Sequence, residues 1–279
     1  MTPVSGERAR HLIYALLGLG TAAGLLIHVR QPVVVTPPTR SLRDSIQALP
    51  RNKLVILSIG WDVGTRGENG PQTEALIEDF FRSKIKFAIF SFASPPGPTM
   101  AEQIADRLAR KHHKTYGEDW VNWGYRTGGV PMLMGLAKNI PRIVPQDLYH
   151  TPISKIPVMR GIRDVHDIAM VIEITGSASL DPWVGFWQGV YGTKLGYAPT
   201  GVMVPEAFPY LHAGQITGLQ KGLVGAAEYE RLVGVRGDAT RRMTALSYDH
   251  VLVIALIILG NWLAIRAARR RQEPEGQAP

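Results

Sequence analysis

The sequence predicts an α/β protein: a doubly wound, mainly parallel, five-stranded sheet in three layers, flanked by N- and C-terminal transmembrane helices. Three observations predict it. Short apolar runs without polar alternation recur through the middle of the chain, as strands covered on both faces require. Segments with apolar residues three and four apart separate those runs, which is the pattern of crossover helices. Two longer apolar stretches lie near the chain ends.

Taken in order, residues 1–11 form a short tail with Arg8 and Arg10. Leu12–Val29 is apolar except for His28 at its edge, close to the roughly 20 residues that span a bilayer. No small-residue cleavage site follows it, so it reads as an uncleaved anchor and not as a signal peptide. Residues 30–52 are proline-rich and read as a linker with short helical signals. Lys53–Ile59 is the first strand, Thr73–Arg82 a helix, Lys84–Phe92 the second strand and Thr99–His112 an amphipathic helix with Met100, Ile104 and Leu108 on one face. Trp120–Tyr125 is the third strand, Pro131–Ile140 a helix and Pro141–Gly161 a proline-bearing surface excursion. Ile168–Thr175 is the fourth strand. Asp181–Tyr191 is a helix with Asp181 as N-cap and Pro182 in its first position. Leu195–Ala198 is a short fifth strand, and Gln215–Leu232 a helix closing the domain at 53–232. Residues 233–247 link it to a second span at 248–265, which contains Trp262 and is followed by a tail (266–279) with Arg266 and Arg269–Arg271.

The arginines of the two short tails place both termini in the cytoplasm and the domain on the outer face of a bacterial inner (cytoplasmic) membrane. The C-terminal arginines suit anionic lipid. The chain of 279 residues has a formal charge of +8, but the middle region holds no dense Lys/Arg block or arginine–aromatic repeat, so nucleic acid is not an expected partner. The absence of cysteine excludes disulfides, zinc–thiolate sites, iron–sulfur clusters and a cysteine nucleophile. The eight histidines form no metal-binding spacing, and no serine sits in a GxSxG elbow. No metal is expected, and no cofactor is indicated.

Ligands of doubly wound sheets bind beyond the C-terminal ends of the strands, where strand order reverses. Three loops there carry candidate groups. Gly60–Pro71 holds Asp62, Thr65, Arg66 and Glu68 among four glycines and leads into a helix N-terminus suited to an anion. Part of it, Asp62-Val63-Gly64-Thr65, imitates the phosphate loop of actin-like ATPases, although a helix and not a hairpin follows. Arg126 and Gly128, after the third strand, are expected beside that loop. Glu173, in an otherwise apolar strand, is followed by Ser177; it reads either as an ion-pair partner of Arg126 or Arg163, or as a ligand-facing carboxylate with a raised pKa. A polar connection without any ligand would use the same residue types.

Gly214, Gly218 and Gly222 fall four residues apart. On a helix they would form a stripe for close packing, at a cost of about 1 kcal/mol per glycine against alanine. The stripe faces either the sheet of its own domain or a partner chain, so these glycines are candidate interface residues.

The segments Tyr116-Gly117-Glu118-Asp119-Trp120, Ile156-Pro157-Val158-Met159-Arg160-Gly161, Glu173-Ile174-Thr175-Gly176-Ser177 and Gly225-Ala226-Ala227-Glu228-Tyr229-Glu230, set between two terminal spans, resemble a group of uncharacterised bacterial membrane proteins. The resemblance covers most of Lys53–Leu232. It implies a membrane-anchored α/β domain and carries no activity or site residue. The expected function is therefore a scaffold or small-ligand-sensing subunit of a membrane complex, with protein partners or a homo-oligomer. The alternative is a membrane-bound hydrolase or nucleotide-dependent transferase using Asp62, Glu68 and Glu173.

Overall fold

Each expected apolar run becomes a strand because its side chains are buried on both faces of one sheet. In the computed structural model, which describes residues 33–272 together with His11, 13–20 and Ala22, the strands are β1 (Leu54–Gly60), β2 (Phe87–Ser91), β3 (Trp120–Tyr125), β4 (Ile168–Thr175), β5 (Leu195–Pro199) and β6 (Gly218–Leu219). All pairings are parallel, in the order β3-β2-β1-β4-β5-β6. This is the Rossmann-like order, with its switch point between β1 and β4. Alternate residues of each strand feed two cores. Leu54, Ile56, Phe90, Val121, Trp123 and Val171 pack under the helices Gly129–Lys138 and Asp181–Tyr191. Val55, Leu57, Ile59, Phe87, Ile89 and Ile172 pack under Arg66–Arg82 and Gly97–His112.

The sheet has six strands where five were expected, because Gln215–Leu232 is not one helix. Gly218 and Leu219 pair with β5, and the helix begins only at Gly222. The glycine stripe is thereby broken up: Gly214 lies in a turn at φ +68°, Gly218 in a strand, and Gly222 at a helix start with φ +49°. A Cβ on Gly218 would overlap the backbone of Leu42. Close approach does explain this glycine, but the neighbour is its own domain.

The linker expected at 30–52 is largely a helix, Pro37–Gln47, whose Leu42 and Ile46 are fully buried against the second core. It displaces the domain's start to Val33, and the domain runs to Thr240. The 233–247 linker is likewise structured: a helix begins at Asp238, and the Glu230 carboxylate accepts hydrogen bonds from the amides of Gly237, Ala239 and Thr240. The Asp181–Tyr191 helix occurs, with a π turn at Val184–Gln188, but Leu180 and not Asp181 is its N-cap.

The terminal segments, up to residue 32 and from 241, form a second unit. Half of the expected first span, residues 1–10 of the N-tail and residues 273–279 lie outside the described residues; 13–20 are helical. The second expected span falls within helix Asp238–Gln272. Among the described residues no helix is long and apolar enough to cross a membrane.

Candidate functional site

The switch point brings the loop after β1 against the loop after β4. Helix Arg66–Arg82 starts seven residues earlier than its apolar periodicity suggests, absorbing Gly67, Gly70 and Pro71 of the expected loop. Propensity alone disfavours this. Tertiary hydrogen bonds offset the cost: Asn69 Nδ2 donates to Thr175 O (3.2 Å), and Gln72 Nε2 donates to Pro199 O (2.9 Å) and Gln220 O (2.7 Å). The first turns of the helix are thus stitched to the C-terminal ends of β4, β5 and β6.

The stitching closes the crevice. Thr65 rests on Gly176, where a Cβ would come within 2.5 Å of its methyl group. Glu68 Oε2 accepts a hydrogen bond from Gly201 N (2.7 Å) and abuts Gly222. Ser94 Oγ donates to Trp61 O (2.7 Å), drawing in the loop after β2. Asp62 is exposed and accepts from Gly64 N (2.8 Å), a local turn. Arg66 and Ser177 are exposed at the rim. Beneath them, the buried hydroxyl of Thr65, the Asn69 carbonyl, the Thr200 hydroxyl and both amide atoms of Gln220 have no hydrogen-bond partner among the described residues.

Glu173 sits deeper. It is 1% exposed, its Oε1 lies 2.5 Å from Ser179 Oγ, and its Oε2 accepts from Trp183 Nε1 at 2.9 Å. Burial pushes its pKa up to about 8, with the hydrogen-bonding side chains around it opposing the shift. It pairs with neither Arg126 nor Arg163, and it faces the core side of the sheet and not the crevice rim.

Arg126 is not beside the first loop, because β2 separates β3 from β1. Its guanidinium donates to Tyr125 O and Gln146 O, and burial lowers its pKa while Asp147 opposes the shift. Asp147 is itself held by Tyr116 (2.8 Å). Arg126 therefore fixes the 145–152 loop. Gly128, at φ +112°, is the N-cap of the helix that follows.

The structure thus unites Thr65, Glu68, Glu173 and Ser177 around the switch point, with Asp62 and Arg66 on its rim, and leaves Arg126 and Gly128 two strands away. Sequence reasoning missed Asn69, Gln72 and Gln220, which meet across more than a hundred residues, and Ser179 and Trp183, which reach Glu173 from six and ten residues away with no motif to mark them. Among the described residues no cluster of side chains is suited to a metal ion. No family model, curated protein or solved structure matches this chain.

Proposed function

We propose that the chain is a membrane-anchored α/β domain serving as a scaffold subunit of a bacterial membrane complex. The observation that carries this reading is the closed switch point: where Rossmann-like sheets open to a ligand, Thr65, Glu68, Asn69 and Gln72 tie the loops together. Anchoring is supported by the apolar side chains that helix Asp238–Gln272 leaves exposed, among them Val251, Ile254, Ile258, Trp262 and Ile265. An exposed apolar stripe of this kind needs a lipid or protein environment.

A single cysteine at exposed Ser154 and another at Gln277, probed in intact cells with a membrane-impermeant maleimide, test the arrangement. Labelling at 154 alone is expected, with the domain outside and the basic tail in the cytoplasm. Labelling at 277 alone would reverse the orientation, and labelling at neither would put the domain and tail together in the cytoplasm.

The second reading, a small-ligand sensor, is favoured by the unpartnered polar atoms of Thr65, Thr200 and Gln220 under the rim, since buried polar groups ordinarily find partners. It requires that an anion or nucleotide raise the melting temperature of the full chain in detergent, and that Thr200→Val abolish the rise. A flat response across such a panel leaves the scaffold. Turnover of a generic ester or phosphate substrate, lost in Ser177→Ala, would replace both readings with a hydrolase.

A further inference from the structure

The opposite end of the sheet carries a feature that the switch point does not explain. Between the N-terminal ends of β1 and β2 and the segment 157–162 lies a cleft of about 250 Å³. Arg51 and Lys53 enter it from the turn before β1, Lys86 from the residue before β2, and Arg160 from the loop before β4. No acidic residue lines it. Among the described residues none of the four cations forms an ion pair; Arg51 donates only to Gln47 O.

Four like charges around one small concavity repel each other and lower the stability of the empty fold. Helix C-termini attract cations, and three helices end nearby. Two of those ends already carry Arg82, and Arg110 with Lys111 and His112, in their own last turns, and Arg51 serves the third through Gln47 O. Lys53, Lys86 and Arg160 therefore exceed what the helix dipoles call for. They also come from three separate connections that the parallel topology brings together.

We infer that this cleft is a binding site for a phosphate-bearing anion, with Arg51, Lys53, Lys86 and Arg160 as its donors. Arginine offers bidentate hydrogen bonds to phosphate oxygens, and lysine adds point charges. A membrane lipid headgroup is the occupant that the surroundings favour. Helix Gly222–Val233 runs antiparallel to the strands and ends at this same end of the sheet, where Val233 O accepts from Arg82. Arg231 holds Val33 O and Glu230 holds Thr240, so the domain's chain both enters and leaves on this side. The headgroup assignment rests on the membrane-anchored reading; the anion site itself does not.

The test uses the full chain in a zwitterionic detergent, titrated with inorganic pyrophosphate by calorimetry. Saturable binding is expected, weakened about tenfold by Lys86→Met and by Arg160→Ala, since each removes a charge-assisted hydrogen bond. Arg142→Ala and Lys138→Met, which alter exposed cations outside the cleft, should leave the affinity unchanged. Unaltered melting temperatures would show that the variants are folded. Short-chain phosphatidylglycerol should displace pyrophosphate, and short-chain phosphatidylcholine should not. Binding without displacement by phosphatidylglycerol would keep the anion site and replace the headgroup with a soluble phosphate compound. No saturable binding, or equal weakening by the Arg142 and Lys138 variants, would overturn the site, whether or not the chain needs detergent for extraction.

Discussion

Glu173 shows how a single buried carboxyl is reconciled with an apolar core. Ser179 Oγ lies 2.5 Å from Glu173 Oε1 and 2.9 Å from Thr175 Oγ1, which in turn lies 3.0 Å from Gly60 O. A neutral carboxyl donating to Ser179, which donates to Thr175, which donates to Gly60 O, fills every contact with one proton. An ionised carboxylate would draw the Ser179 proton to itself and leave the Ser179–Thr175 contact without one. The pKa near 8 points the same way. Because the folded value lies above the ordinary 4.5, the native state keeps a proton that the unfolded chain loses. Stability from this group is full below about pH 4.5 and is lost as pH rises to about 8. Glu173→Gln keeps the shape and cannot ionise. Between pH 5 and pH 8 the wild type should therefore lose on the order of a few kcal/mol relative to the variant in denaturant titrations. Parallel pH curves for the two proteins would show that Glu173 is ionised in its site or that its unfolded value is equally shifted.

The elements that escaped sequence reading are those decided by tertiary contact. The five long strands were legible because burial on both faces leaves an unbroken apolar run, and two of them, Trp120–Tyr125 and Ile168–Thr175, have the expected bounds. β6 is only two residues long and contains a glycine, which no periodicity reveals. The Pro37–Gln47 helix opens on two prolines in a proline-rich stretch, yet Thr39 Oγ1 donates to Leu219 O and Leu42 lies on Gly218. That helix and β6 form one packed unit, and each is stable through the other. Gly218→Ala should accordingly lower the melting temperature sharply, by an overpacking cost of about 1–3 kcal/mol or more. Leu42→Ala, which leaves a cavity at the same contact, should cost about 2–5 kcal/mol. The losses should add in the double variant, because the atoms nearest a new methyl group at 218 are the Leu42 amide nitrogen, Cα and Cβ, all of which alanine keeps. A loss smaller than the sum would mean that the Leu42 side chain beyond Cβ, and not its backbone, is what glycine accommodates. The candidate site was legible only in part for a related reason. The loops bearing Asp62, Thr65 and Ser177 were identified from strand order, whereas the closure by Asn69 and Gln72 depends on partners more than a hundred residues away.

At the scale of the molecule, the domain begins and ends on one helix. Arg231 holds the carbonyl of Val33, while Glu228, two turns into the same helix, accepts from the amide and hydroxyl of Thr36. Glu230 satisfies three amides and the Thr240 hydroxyl at the start of helix Asp238–Gln272, an acidic group at a helix N-terminus where amide donors and the dipole both favour it. Neighbouring residues of a single turn therefore fasten both ends of the domain. Glu230→Ala should release the C-terminal connection without unfolding the sheet. Amide hydrogen exchange at residues 237–240 should accelerate by about one to two orders of magnitude, in line with losing a capping interaction of about 1–2 kcal/mol, while β1 and β4 keep their protection. Faster exchange throughout the sheet would instead make Glu230 part of the global core. Unchanged exchange at 237–240 would mean that the helix start holds itself without Glu230.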